Sequence, residues 1–316
     1  MEHYLDRSTI VNRWNRDTPV RLWIDPGDEI TLEMRDSSDG QVRPGMTMEE
    51  FARLDPLRIH ALTGPLGIRG AEPGDRLIVE ILSYTHEGWA WTSILPGLGL
   101  LPDDFPDRFL HIWELEETRT LSMPGLEIPL APFCGIIGVQ PAVPGEFRTR
   151  PPGTNGGNMD VRHLVAGSRL HLPVLIPGAG LCAGDAHAAQ GDGEVSINGM
   201  EAPMKVKFRV DLIRGEAPRG PYIECPVPLE PPAFRTCTHH LFVESHEDAR
   251  EASRQVVRRA VDYLHRRLGI SPEQAYITCS VVLRLKISQL VNLPLITVTG
   301  YLPEAIFLET SAVLPR

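Results

Sequence analysis

Between Gly184 and Glu194 the chain reads GDAHAAQGDGE, which sets Asp185, His187, Asp192 and Glu194 among little besides Gly and Ala. Carboxylates and an imidazole this close together are the ligands and proton carriers of metal-assisted hydrolysis. On an extended segment Asp185 and His187, two residues apart, face one side and supply two ligands of a zinc-type site. Small neighbours leave space for water and substrate. Glu194, beyond the turn at Gly191, Asp192 and Gly193, is placed to swing back as a general base or as a further oxygen ligand. The plain alternative is a polar turn between strands with solvated carboxylates.

A second segment has the same character. In PPGTNGGNMD, residues 151–160, Gly156 and Gly157 open backbone angles closed to other residues. Asn158 and Asp160 are again two apart and offer one amide and one carboxylate oxygen. His60, in HALTGPLGIRG, is either a third ligand or a hydrogen-bonded structural histidine. The Gly64, Gly67, Gly70 spacing there does not match GxGxxG and no helical pattern follows, so it is not a nucleotide loop. His239 and His240 would face opposite ways on a strand, and at most one could join a site. Cys182 is a rival nucleophile with His187 as its base, but nearby carboxylates raise rather than lower a thiol pKa.

The elements that must position these residues are mostly strands. Gly 28 and Pro 29 in 316 residues favour many short strands over long helices. PVRLWIDPGDEITLEMRD and AEPGDRLIVEILSYTH each feed a Pro-Gly-Asp turn into an alternating strand. In MKVKFRVDLI, Val206, Phe208 and Val210 take one face and Lys205, Lys207 and Arg209 the other, as in an antiparallel strand with one wet side. Helical spacing takes over at about 246–268, with Ser245 as cap and Gly269 as stop. Ser271 and Pro272 then start a second helix. The expected fold is α+β and predominantly β, with β-sandwich or barrel-like modules and a C-terminal helix-containing segment. Residues 1–130 read as an N-terminal β-rich module, and 131–316 as a β-rich catalytic region with that helix and closing strands.

A net charge of −10 argues against nucleic acid as a partner, because phosphate contact needs a basic face. With no long apolar run and no secretory leader, a cytoplasmic protein without membrane contact is expected. The five cysteines include no CxxC and suggest neither a disulfide framework nor a thiolate metal site.

Taken in order, HALTGPLGIRGAEPGD, LPGLG, PPGTNGGNMD, LPVLIPGAGLCAGDAHAAQGDGEV and ISQLVN span roughly residues 60–292 and resemble the acetamidase/formamidase family. The resemblance implies a mostly β hydrolase that cleaves the C–N bond of a small aliphatic amide, formamide- or acetamide-like, to ammonia and a carboxylate. It also implies a divalent metal and a homo-oligomer. The matching positions here are His60, Asn158, Asp160, Asp185, His187, Gln190, Asp192 and Glu194. Their chemistry suggests a metal on Asp160, Asp185 and His187, with His60 as a further candidate, and mixed oxygen and imidazole ligands put zinc foremost, with calcium or magnesium as alternatives. Asn158, Gly157 and His60 are the candidates for substrate contact, and Glu194, Gln190 and Asp192 for catalytic work, with Glu194 as base and then acid. Arg284 stands where the family pattern carries an Asp, which predicts either a changed charge preference for substrate or a rewired ion pair. His239 and His240 stand where smaller residues are usual. Two readings compete: a non-catalytic β-rich module holding a structural cation, and a cysteine-dependent amidase using Cys182.

Overall fold

The alternating strands assemble into one open sheet. The computed structural model describes residues 1–308 and orders this sheet Glu2–Leu5, Glu29–Met34, Met204–Ile213, Arg76–His86, Arg169–Pro173 and Tyr222–Glu224. The first pair is parallel and the rest antiparallel. Val206, Phe208 and Val210 are buried, while Lys205, Lys207 and Arg209 lie on the wetter side, as the period of two predicts. On that side Arg209 bridges Glu29 and Glu80, and Lys207 pairs with Glu29.

A second sheet has no wet face along its middle strands. Its order is Gly156–Asn158, Phe133–Gly138, Ala179–His187, Leu62–Ile68 and Ile10–Val11, with Leu22–Ile24 running parallel to Leu62–Ile68. Every residue of Phe133–Gly138, Ala179–His187 and Leu62–Ile68 is buried. One hydrophobic core joins Ile30, Leu32, Val79 and Phe208 of the outer sheet to Leu66, Phe133, Ile137 and Leu181 of the inner one. The result is a sandwich. Both sheets draw strands from either side of residue 130, so the expected division into 1–130 and 131–316 is not a division in space.

The C-terminal strands His239–His246, Ile296–Pro303 and Arg284–Gln289 form a third sheet, packed against the helix Ala249–Leu268. Ala252, Val256, Ala260 and Leu264 form its buried face, and Gly269 ends it in the left-handed conformation at φ 67°. Its cap is Asp248, not Ser245. Strand pairing continues through His246, so the helix starts only after the next turn, and the Asp248 carboxylate accepts from the Arg250 amide at 2.6 Å. Ser245 instead bonds Thr297 across the sheet. The second helix, Pro272–Val282, opens on a capping box between Ser271 and Gln274. Among the described residues no helix is long and apolar enough to cross a membrane.

Candidate active site

The strand Ala179–His187 delivers Asp185 to the wall of a cavity of about 240 Å³. His60, Asn158, Asp160, Glu194 and Glu201 share that wall. Asp160, Asp185 and His187 each bring a ligand atom within 4.8 Å of the others, and so do His187, Glu194 and Glu201. His187 is fully buried, its ring stacked on Phe133 with centroids 4.9 Å apart.

The backbone is bent to achieve this. Asp160, Asp185 and Glu194 take left-handed conformations, with φ of 49°, 54° and 45°. A left-handed residue other than glycine costs about 1 kcal/mol or more, and such strain collects at functional sites. Strict alternation therefore does not run through Asp185, and the approach to His187 comes from this local bend rather than from the period of a strand. Gly135, on the neighbouring strand, makes the cluster possible. A Cβ there would lie 2.6 Å from Asp160 Oδ1, 2.7 Å from His187 Cε1 and 2.9 Å from Asp185 Oδ2.

Four carboxylates share this space. Burial first, then Glu194 and Asp185, push the Asp160 pKa up to about 9. Burial pushes Asp185 up to about 6 and raises Glu194 as well. For His187 burial works against the charged form, but Glu201, Glu194 and Asp185 outweigh it and raise its pKa well above the ordinary value. Its Nε2 lies 2.8 Å from Glu201 Oε1 and 3.3 Å from Glu194 Oε1, yet neither ring nitrogen makes an aligned hydrogen bond. Asp160 Oδ1 and Glu201 Oε2 are also buried without partners. Buried polar atoms without partners are costly. Carboxylate oxygens and an imidazole gathered in this way fit a divalent cation.

The remaining expected residues divide into those at the cavity and those away from it. His60 lines it, with Nδ1 3.1 Å from Thr149 Oγ1, and burial holds its pKa down. Asn158 lines it with Oδ1 unpartnered. Glu194 is steadied by the Gly199 N–H, which donates to its Oε1 at 3.1 Å. Gly157, expected at the substrate, pairs with Ile137 within the sheet instead. Gln190 does not line the cavity; its Nε2 donates to the Asp160 carbonyl at 3.0 Å and braces that residue. Asp192 points away, because Arg162 Nε binds its carboxylate at 2.8 Å. Arg162 also pairs with Glu230, and Glu230 with Arg284, both at 2.7 Å. Arg284 thus ends a chain of ion pairs and does not line the cavity. His240 pairs with Glu304, and neither His239 nor His240 lines the cavity. Cys182 is sealed among Trp14, Leu62 and Ile136, and burial raises its thiol pKa far above the ordinary range, which removes it as a nucleophile.

Two site residues escaped the sequence. Glu201 is 2 % exposed and held by paired backbone bonds to Trp91. Asn198 accepts from the Ser93 N–H at 2.9 Å, which leaves its Nδ2 buried and unpartnered. Neither sits in a recognisable motif. The signal for Glu201 in the sequence is slight, an acidic residue just ahead of an alternating strand.

Residues 2–144 and 143–309 match the model of the Acetamidase/Formamidase family. The formamidase of Methylophilus methylotrophus is 29% identical, with 94% of this chain and 89% of the relative covered. A gamma lactamase from Delftia acidovorans superposes with a TM-score of 0.89 at 28% identity, over 96% of this chain and 93% of that one. An acetamidase from Bacillus halodurans gives 0.68 at 28% identity, over 95% and 97%.

Proposed function

The chain belongs to the acetamidase/formamidase family, and from that premise we propose that its cavity hydrolyses the C–N bond of a small amide to ammonia and a carboxylate, aided by a divalent cation. The convergence of Asp160, Asp185, His187, Glu194 and Glu201 around unpartnered buried atoms carries this reading. Asp160, Asp185 and His187 would hold the cation, with Glu201 as a further oxygen ligand beside His187. Mixed oxygen and imidazole donors suit zinc, whereas a shell of oxygen alone would suit calcium or magnesium. A cation held there would supply Lewis-acid chemistry, polarising the amide carbonyl and lowering the pKa of a water toward about 7.

Glu194 does the proton work. The Gly199 N–H fixes one of its oxygens, and the other is free to take a proton from water and pass it to the departing amine. Its raised pKa suits a group that must both accept and give a proton. Asn198 Nδ2, a buried donor without a partner, would hold the developing oxyanion, and Asn158 Oδ1, an acceptor without a partner, would take an N–H of the substrate amide. His60 uses Nδ1 on Thr149, which leaves Nε2 for the substrate amide. Gln190, through the Asp160 carbonyl, is a positioning residue.

One observation favours a second substrate geometry. At equal identity the superposition is tighter on the lactamase than on the acetamidase, which supports a cyclic amide seated against Ile59, Trp91, Leu95 and Ile197.

Ammonia release from formamide, acetamide and propionamide, measured before and after chelation with metal add-back, tests the reading. Appearance of the amino acid product serves for a lactam. Turnover that chelator stops and metal restores is expected. A protein that turns over no amide and unfolds on chelation would be the structural-cation module instead.

The same reading includes a cytoplasmic homo-oligomer. Leu290, Val291, Leu293 and Leu295, in and just after ISQLVN, are exposed together, and subunit contacts cover patches of this kind. The five unpaired cysteines suit a reducing compartment. A monomeric mass by light scattering would overturn the oligomer.

A further inference from the structure

Arg150 lines the same cavity as the carboxylate cluster but has no part in the chemistry described above. Resting on the amidase reading, we propose that the substrate carries a second, anionic group and that Arg150 selects it. The cavity suits the monoamide of a short dicarboxylic acid, with the amide at the carboxylate centre and the free carboxylate on the guanidinium.

Size is the first reason. At roughly 30 Å³ per water, a cavity of about 240 Å³ has room for about eight water-sized groups. Formamide has three non-hydrogen atoms and acetamide four, so either leaves much of the space to solvent. The monoamide of succinate has eight.

Pairing is the second reason. Among the described residues the buried arginines are both engaged: Arg162 with Asp192 and Glu230, and Arg284 with Glu230. Arg150 is exposed and takes no hydrogen bond or ion pair among the described residues, although four carboxylates share its cavity. Its backbone is nonetheless well placed. The preceding Thr149 is buried and bonded to His60, and the following Pro151 restricts Arg150 to extended backbone.

Polarity is the third. Asp160, Asp185 and Glu201 sit at one part of the wall, and Ile59, Trp91, Leu95 and Ile197 supply apolar surface for a short methylene chain. An anionic end held at an exposed arginine stays hydrated and screened, which limits its repulsion by the buried carboxylates.

The test compares kcat/KM for succinamate and glutaramate with that for butyramide and valeramide in the metal-loaded protein. An acidic-amide preference of about ten-fold or more is expected, shrinking as salt is added. Arg150→Ala should remove it by raising KM for the acidic amides while butyramide changes less than about two-fold, and Arg150→Lys should restore part of it. Wild-type preference for the neutral amides, or an equal loss on both series in Arg150→Ala, would overturn the inference while leaving the amidase reading intact. Turnover of none of these amides, nor of formamide or acetamide, would sink both. The salt dependence of the wild-type protein decides the matter even if a variant fails to fold: a preference that salt leaves unchanged counts against Arg150.

Discussion

In the outer sheet, alternate residues of Met204–Ile213 meet the core and those between them meet water; in the inner sheet, Ala179–His187 is buried along its whole length. The difference changes what a charged side chain does. On the outer sheet Lys207 and Arg209 lie in solvent, where ion pairs contribute little and are easily replaced. On the inner sheet Asp185 and His187 are buried, so they depend on one another, on neighbouring carboxylates, or on what enters the cavity. The outer sheet supplies burial for stability. The inner sheet gives some of that up, through glycine and left-handed backbone, to bring acids together.

Substitutions test this contrast, and those in the inner sheet should do most. Gly135→Ala should abolish turnover and bound metal together while circular dichroism stays native, because a Cβ there meets three atoms of the cluster. Retained metal and activity would show that the cluster can move aside. Glu194→Gln should lower kcat by about 10²–10⁴ with metal content unchanged. Elemental analysis showing metal loss in that variant would make Glu194 a ligand instead. Phe208→Ala in the outer sheet should cost about 3 kcal/mol or more in urea unfolding, yet leave kcat of the folded protein near normal. A loss of kcat without a loss of stability would mean that the outer sheet also tunes the site. Lys207→Ala should do least, leaving the melting temperature within about 2 °C.

Legibility followed the same divide. Val206, Phe208 and Val210 announced their face because a half-wet strand writes its orientation as alternation. The helix Ala249–Leu268 is equally readable from its spacing, although its cap is Asp248 because the strand before it pairs through His246. The inner strands carry no alternation to read, and Gly135 lay unmarked in the apolar run CGIIGVQ. Asp160, Asp185, His187 and Glu194 stood out as polar residues in glycine-rich surroundings. Asp192 and Gln190 stood out equally and belong elsewhere, since composition does not say which way a turn points its side chains.

Strand faces, helices and the segments rich in acids and glycine can be read along the chain, because each depends on residues close together in it. It takes the packed fold to bring Asp160, from beside one strand, to Asp185 and His187 of another, with Glu194 and Glu201 from the segment beyond. The fold also decided that Asp192 would serve Arg162 rather than the cavity. Those choices follow from how buried strands with little side-chain bulk pack, and which charges that packing leaves without water.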